Sequence, residues 1–404
     1  MRRHLATLTL LAIVFGPLAL GPIDAQSGGP GRSTAKFHRK GVRAIPQKYI
    51  VVLDEDVAAE AADFATAVGR TMEVTRGTGA IAEHIYAFAL RGFAARMTEQ
   101  DAIRLSQDPR VRFVEEDSTM EAVATQSNPP SWGLDRLAQR DLPLNNSYGY
   151  TTTGAGVSAY VIDTGIRTTH TTFGGRASGA FTAINDGRGT TDCNGHGTHV
   201  AGTIGGSQYG VAKSVRLFAV RVLSCTGSGS TSGVIAGVDW VTGNHQSPAV
   251  ANMSLGGGVS TALDNAVRNS IGSGVTYAIA AGNSNTNAAN SSPARVAEAI
   301  TVGSSTRTDA RSSFSNFGSV VDIFAPGSSI TSAWSTSDTA TNTISGTSMA
   351  TPHVAGVAAR YLQNNPNASA AATRNAIVAA GTLNKLSGIP SGTTNRLLFW
   401  SSAQ

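Results

Sequence analysis

The sequence predicts an α/β protein with a mainly parallel sheet covered by helices on both faces, preceded by a small α+β unit. Three observations lead to this prediction. Apolar strands alternate with helical runs in the second half of the chain, an order that implies right-handed crossovers and a parallel sheet. Near Ala124 the composition shifts towards Gly, Ser, Thr and Asn. Residues 46–122 instead follow a β-α-β-β-α-β pattern, which is typical of a ferredoxin-like unit.

The first 25 residues have the three parts of a secretory signal peptide. They combine a positively charged start, an apolar run from Leu8 to Leu20 and a small-residue exit at Ala25. A membrane anchor is the alternative, but the apolar run is short for a span and a Gly-Pro pair interrupts it. We therefore expect export of the protein, with residues 26–45, rich in Gly, Ser and Arg, as a linker.

Residues 46–123 are predicted to form a domain of their own, ahead of a larger domain at 124–404. Its predicted elements are a strand at Lys48–Leu53, a helix at Ala58–Val68, strands within His84–Met97, a helix from Thr98 to Leu105 and a strand from Val111. A separate binding domain is one interpretation. Its position between a signal peptide and a larger domain favours a pro-segment.

The larger domain is predicted to alternate strands and helices. The predicted strands are Val157–Asp163, Leu217–Leu223, Val250–Leu255 and Val275–Ala281, and the predicted helices are His196–Ile204, Thr231–Val241, Ala262–Gly272 and Met349–Leu362. Chemistry in such sheets collects at the carboxyl ends of the strands. Asp163 stands at one such end, and Asn283 follows another.

Composition argues against several classes of protein. Charged residues make up 14% of the chain, the net charge is +5, and the basic residues are scattered. There is no basic stripe with interleaved aromatic residues, so we do not expect nucleic-acid binding. After the signal peptide no segment reads as a membrane span, so no membrane association is expected once it is removed.

Three short segments contain the side chains needed for nucleophilic acyl transfer. They place Asp163 at a strand end, His196 between glycines at a helix start, and Ser348 before an apolar helix. A serine hydroxyl becomes a nucleophile when an imidazole takes its proton, and a buried carboxylate holds the imidazole in the right tautomer. Pro352 fits the first turn of a helix, which would give Ser348 free backbone N–H groups and a positive dipole end.

These residues also allow other interpretations. His196 and His199 are three apart on a predicted helix and could bind a metal. The sequence lacks the H-E-x-x-H pattern and an obvious third ligand, so zinc is not predicted. The chain order Asp, His, Ser also differs from that of the α/β-hydrolases.

Together with Ala280–Asn283 and Ser254–Gly257, the three segments resemble the subtilisin-like serine peptidases. The resemblance is to the proteinase K branch, especially aqualysin-type enzymes, and extends over residues 124–404. Residues 46–122 resemble the inhibitory propeptide of that family. The resemblance implies a subtilisin-like fold and a secreted endopeptidase.

The resemblance also implies a role for each site residue. Ser348 would attack the peptide carbonyl, His196 would act as general base and then acid, and Asp163 would orient the imidazole. The Asn283 amide and the Ser348 N–H would bind the oxyanion. Substrate would lie as an added strand between two edge segments, above an uncharged floor that favours apolar or aromatic P1 residues. These substrate-binding residues are Gly227, Gly229, Ser254, Leu255, Gly256, Ala281 and Gly282.

Cys193 and Cys225 are the two cysteines of the chain, and an even number in an exported protein predicts a disulfide. Structural calcium is implied by the resemblance. Asp322 with the carbonyls of Ala297 and Ala299 matches a family site, and hard oxygen ligands suit Ca²⁺. Further candidate calcium ligands are Asp135, Asp186 and Asp192.

The sequence is therefore interpreted as a secreted, monomeric endopeptidase of broad specificity. We expect a pre-pro-enzyme whose own propeptide assists folding, inhibits the cleft and is removed near Val123–Ala124. Two alternatives stay open. One is an inactive homologue that only binds proteins or peptides, and the other is an esterase or transpeptidase using the same acyl-enzyme.

Overall fold

The computed structural model of the protein describes residues 36–41, 44–54, 64–118 and 124–402. The predicted signal peptide lies outside the described residues. The chain divides into two compact units, an N-terminal unit (Met1–Met120) and a C-terminal unit (Glu121–Gln404). The exact boundaries proposed for the signal peptide, linker and propeptide stay predictions.

The N-terminal unit is a small α+β unit that has the predicted order of elements after one additional short strand, β1, which lies within the predicted linker. It comprises β1 (Phe37–His38), β2 (Ala44–Leu53), α1 (Phe64–Thr75), β3 (Ile81–Tyr86), β4 (Gly92–Arg96), α2 (Glu99–Ser106) and β5 (Val111–Ser118). The sheet order is β1-β5-β2-β4-β3, and its four long strands pair antiparallel, as in a ferredoxin-like unit. Helix α1 continues past the predicted end at Val68, because Val74 still faces the core.

The C-terminal unit alternates strands with helices. Its strands are β6 (Ala124–Ser127), β7 (Ser147–Tyr150), β8 (Ser158–Asp163), β9 (Ala177–Thr182), β10 (Arg216–Arg221), β11 (Ala249–Met253), β12 (Thr276–Ala280), β13 (Ile300–Ser305), β14 (Ile323–Pro326), β15 (Ile330–Ala333), β16 (Thr341–Ile344), β17 (Thr382–Leu383) and β18 (Arg396–Leu397). Its helices are α3 (Trp132–Ala138), α4 (His196–Gly205), α5 (Thr231–Asn244), α6 (Thr261–Gly272), α7 (Thr347–Asn364) and α8 (Ala370–Ala380), with short 3₁₀ turns at Thr171–Phe173 and Ala288–Asn290.

The main sheet of this unit has the order β17-β18-β14-β13-β12-β11-β8-β10-β9. All its pairs are parallel except β17 with β18. Successive side chains of a strand point to opposite faces. In β8, Ala159 and Val161 join one buried core, while Tyr160 and Ile162 join another. Helix α7 packs in the first core, and α5 and α6 in the second, which confirms a mainly parallel sheet covered on both faces.

The elements that carry the candidate site meet at the carboxyl edge of this sheet. Strand β8 ends at Asp163, and β12 ends at Ala280, just before the loop that holds Asn283. Helix α4 begins at His196, and α7 begins at Thr347, next to Ser348. Within the described ranges, no helix is both long and apolar enough to cross a bilayer.

Candidate active site

Asp163 and His196 form the central pair of the site. The Asp163 side chain is fully buried at the end of β8, and its Oδ1 accepts hydrogen bonds from the Thr164 N–H and from His196 Nδ1, each at 2.7 Å. A carboxylate can only accept here, so Nδ1 carries the ring proton. The Nε2 atom of His196 is therefore left as the basic nitrogen.

His196 is the first residue of α4 and follows a glycine that the site requires. Gly195 has a φ of 110°, and an added Cβ would lie 2.3 Å from the Trp334 ring. Burial by itself lowers the pKa of His196, but attraction to Asp163, the hydrogen bond with it, and the charge of Asp192 outweigh burial and raise the pKa above its ordinary value. His199, in contrast, is buried, bonds the Ile330 carbonyl and has a pKa lowered to about 4.

Ser348 stands at the N-terminal end of α7, as predicted. Its hydroxyl donates to the Ser254 carbonyl at 3.1 Å, and its carbonyl accepts from the Ser254 hydroxyl at 2.8 Å. Over the described residues its hydroxyl makes no hydrogen bond with His196; such bonds are often long in a substrate-free site. The prediction that Pro352 lies in the first turn is wrong, since it is the sixth helical residue. Proline has no N–H for the Ser348 carbonyl, and the Ser254 hydroxyl takes that role.

The side chain of Asn283 is held in place by Thr347, the first residue of α7. Its Oδ1 accepts from the N–H of Thr347 at 2.8 Å and from the Thr347 hydroxyl at 2.9 Å. Because the Thr347 N–H can only donate, the amide orientation follows, and Nδ2 is left as a donor for a ligand. Thr347 is fully buried and also accepts from the Gly282 N–H at 3.1 Å. Its part in the site was not foreseen, although it lies within the segment that predicted Ser348.

Asp192, a candidate calcium ligand in the sequence analysis, has a different part in the site. It is buried, and its oxygens accept from Thr164 and from backbone N–H groups of the turn that leads into α4. The Thr164 hydroxyl also accepts from the Gly197 N–H at 2.9 Å. Asp192 thus joins the end of β8 to the start of α4.

Two adjoining cavities contain the predicted substrate-binding residues. A groove of about 550 Å³ is lined by His196, Gly227, Gly229, Ser254, Leu255 and Gly256, among others. A pocket of about 260 Å³ shares Leu255 and Gly256 and is lined further by Ala281, Gly282, Asn283 and Ser348. Of the described residues that line the two cavities, none is an aspartate, glutamate, lysine or arginine. The arrangement can hold an extended, uncharged ligand across Ser348.

The predicted disulfide between Cys193 and Cys225 is formed. It links the turn before His196 to the loop before Gly227, and the Asn194 side chain donates to the Cys225 carbonyl at 2.9 Å. One covalent bond therefore connects the histidine segment to one wall of the groove.

The candidate calcium ligands other than Ala297 already have hydrogen-bond or ion-pair partners. Asp322 binds the side chain of Arg374, whose Nε also donates to the Ala299 carbonyl at 3.0 Å. The oxygen atoms of Asp322 and Ala299 do not fit a calcium site while the Arg374 guanidinium is in place. Asp186 is paired with buried Arg221 at 2.6 Å, which holds the pKa of the Asp186 carboxyl at about 2. Asp135 accepts from the Asn146 N–H at 2.7 Å.

Known proteins resemble both units. The profile of the subtilase family matches residues 154–394, and that of peptidase inhibitor I9 matches residues 48–122. The chain is 52% identical to the extracellular serine proteinase of Thermus sp. (strain Rt41A), over 96% of this chain and 98% of that protein. It is 51% identical to the alkaline serine exoprotease A of Vibrio alginolyticus, over 88% of this chain and 68% of that protein.

A solved structure shows the same fold. The crystal structure of a cold adapted subtilisin-like serine proteinase is similar with a TM-score of 0.65 and 59% identity, covering 66% of this chain and 97% of that one. The matched fold, the family profile over more than half of the residues and the two relatives of 52% and 51% identity agree. The chain therefore belongs to the subtilase family of serine peptidases and has an I9-type propeptide.

Proposed function

We propose that this protein is a secreted endopeptidase that cleaves proteins through a Ser348–His196–Asp163 triad. The observation that carries the proposal is the 2.7 Å bond from His196 Nδ1 to buried Asp163, at the mouth of a groove that continues to Ser348. That bond leaves Nε2 as the base that a serine nucleophile needs. The enzyme is extracellular, like its Thermus relative.

In the first half of the reaction, Ser348 Oγ attacks the peptide carbonyl carbon while its proton moves to His196 Nε2. The carbonyl π electrons move to the oxygen, which becomes an oxyanion. The C–N bond then breaks, and Nε2 gives its proton to the leaving amine. A water molecule then attacks the acyl-enzyme by the same steps. Its proton passes to Nε2 and on to Ser348 Oγ, the acid is released and the serine is restored. Asp163 stabilises the imidazolium in each half, consistent with the raised pKa of His196.

The oxyanion is bound by donors that are in place before substrate arrives. Asn283 Nδ2 and the Ser348 N–H supply these donors, and Thr347 holds the Asn283 amide in the required orientation. A donor of this kind contributes about 3–4 kcal/mol to the transition state, a magnitude measured in a member of this family.

Specificity follows from the uncharged cavities. Glycines at 227, 229 and 256 let a substrate backbone approach closely and pair as a strand, which gives affinity without reading sequence. We expect broad cleavage, with apolar or aromatic residues preferred at P1. Rates on a peptide series that differs only at P1 would check this. A clear preference for Lys or Arg over Phe and Leu would contradict it.

The enzyme is made as a precursor, and its I9-type segment assists folding and then occupies the cleft. The propeptide is removed by self-cleavage near Val123–Ala124, and the mature enzyme acts as a monomer. N-terminal sequencing of secreted protein checks the junction, and a start far from Ala124 contradicts it.

The decisive experiment compares wild type, Ser348→Ala and the control Ser345→Ala on unfolded casein, with mass spectrometry of each chain. Ser345 is an exposed serine three residues away. Wild type and the control should mature and cleave casein, whereas Ser348→Ala should stay full length and inactive. Maturation and casein cleavage by Ser348→Ala would overturn the proposal. Turnover of activated esters without protein cleavage by wild type would favour an esterase or transpeptidase.

A further inference from the structure

Arg374 lies where the family resemblance implies a metal ion. It belongs to α8, and its guanidinium reaches the segments that lead into β13 and β14. Its Nε donates to the Ala299 carbonyl at 3.0 Å, and its Nη2 donates to Asp322 Oδ1. The other oxygen of Asp322 accepts from the Thr301 N–H at 2.8 Å. Two of the three oxygen donors implied for calcium are thus used by a cation that the chain itself supplies.

The surroundings make this pair different from an ordinary surface ion pair. The Asp322 side chain is only 14% exposed and that of Arg374 only 29%. A guanidinium satisfies a carboxylate and a carbonyl with planar, directed donors. Calcium instead needs six to eight oxygens around it and would meet the positive charge of Arg374 at close range. The two cations therefore exclude each other at this position.

We propose that Arg374 replaces calcium at the Asp322 site, so that this chain ties α8 to β13 and β14 without a metal. Removing the Arg374 side chain frees the Asp322 carboxylate and the Ala299 carbonyl. With the Ala297 carbonyl and water, these form a set of hard oxygen ligands. The site is latent: it binds calcium when the arginine is gone. This inference does not depend on the proposed catalytic function.

A matched control lies beside the site. Glu298, between the two implied carbonyl ligands, pairs with Arg268 at 3.0 Å, with side chains 45% and 44% exposed. The substitution Arg268→Ala removes the same charge from the same neighbourhood without freeing Asp322. A general effect of lost positive charge would appear equally in Arg268→Ala and Arg374→Ala.

The test is calcium binding by metal-stripped protein, measured as ions bound per chain by equilibrium dialysis at constant ionic strength. All chains carry Ser348→Ala, so that self-digestion cannot distort the count. We expect Arg374→Ala to bind one more Ca²⁺ per chain than the parent and Arg268→Ala to bind the parental number. Adding Asp322→Asn to Arg374→Ala should remove the extra ion. The Tm of Arg374→Ala should also rise with calcium by more than the Tm of the parent.

Two results would overturn the proposal. One is a parental chain that loses one bound calcium on Asp322→Asn, since calcium would then occupy the site with Arg374 displaced. This arm needs no change at Arg374 and is informative even if Arg374→Ala fails to fold. The other is a folded Arg374→Ala chain that gains no calcium, since the freed oxygens would then not be a metal site.

Discussion

The carboxylate of Asp192 accepts five hydrogen bonds, and four of them come from residues 194–198, the segment around His196. The fifth comes from the hydroxyl of Thr164, the neighbour of Asp163. A buried carboxylate with this many donors fixes the relative position of the two segments that supply them. Asp192 is therefore a positioning residue for the Asp163–His196 pair, and its negative charge acts on the imidazole as well.

We expect Asp192→Asn to move the acidic limb of the kcat/KM profile to lower pH. The His196 pKa is raised partly by the charge of Asp192, so removal of that charge lowers it. Catalysis needs neutral His196, and a lower pKa makes the neutral form available at lower pH. On the plateau, kcat should fall by about tenfold or more with little change in KM, because an amide cannot accept all five hydrogen bonds.

The matched control is Asp239→Asn, which removes the same charge from an exposed position on α5. Its acidic limb should coincide with that of wild type. A profile for Asp192→Asn that stays in place, or moves to higher pH, would contradict the role assigned to Asp192.

At the scale of elements, a proline inside a helix connects Ser348, the proposed nucleophile, to the groove. Pro352 cannot donate to the carbonyl of Ser348, and the freed carbonyl accepts from the Ser254 hydroxyl instead. The hydroxyl of Ser254 itself accepts from the Asn252 amide at 2.9 Å, and Ser254 directly follows the end of β11. A gap in the hydrogen bonding of α7 thus fixes the helix to an edge segment that lines the groove.

The disulfide makes a similar connection between the turn before α4 and the loop before Gly227, which also lines the groove. Cys193 and Cys225 are 32 residues apart, and closing such a loop stabilises a chain by about 3–4 kcal/mol in the chain-entropy model. We expect Cys193→Ser with Cys225→Ser to lower the free energy of unfolding by about this amount. The KM for peptides should also rise, because Gly227 is then less firmly held. Urea unfolding in the Ser348→Ala background and peptide kinetics in the active enzyme measure the two effects.

A reductant provides the control for this prediction. Dithiothreitol should destabilise the parental chain by a similar amount and leave the doubly substituted chain unchanged. Equal stability of the parental chain and the double variant without reductant would show that the disulfide contributes nothing. A dithiothreitol effect on the double variant would show that the reductant acts elsewhere.

For the whole molecule, segments with a clear apolar periodicity were predictable from the sequence, and segments without one were not. Strand β8 and helices α4 and α7 were predicted within two residues at each end, because their periodicity is clear. Strands β13 and β14 were not predicted. Strand β13 ends in two serines, Ser304 and Ser305, which interrupt the apolar pattern although both are buried and Ser304 bonds Ser312 at 2.7 Å. Helix α8 was not predicted either, although six of its eleven residues are alanine, the residue with the highest helix propensity.

The candidate site shows a corresponding limit. Residues within short motifs, such as Asp163, His196 and Ser348, can be selected from sequence because each motif restricts the chemistry. Contacts between segments that are distant in sequence cannot be predicted in this way. Nothing in the sequence pairs Arg374 with Asp322, 52 residues away, or makes Asp192 an acceptor for the turn into α4 rather than a metal ligand. Those partners are set by how α8, β14 and the turn pack.

Most residues of α7 are buried, and the helix packs against strands β11 to β14 and against α4. The hydroxyl of Ser348 therefore acquires its neighbours only when the centre of the molecule has assembled. In the proposed mechanism, a partly folded copy has the nucleophile but neither the base nor the oxyanion donors, so it cannot cleave other chains. Digestion of one copy of the enzyme by another therefore cannot begin until some copies are fully folded. The copies that fold last are the ones exposed to it.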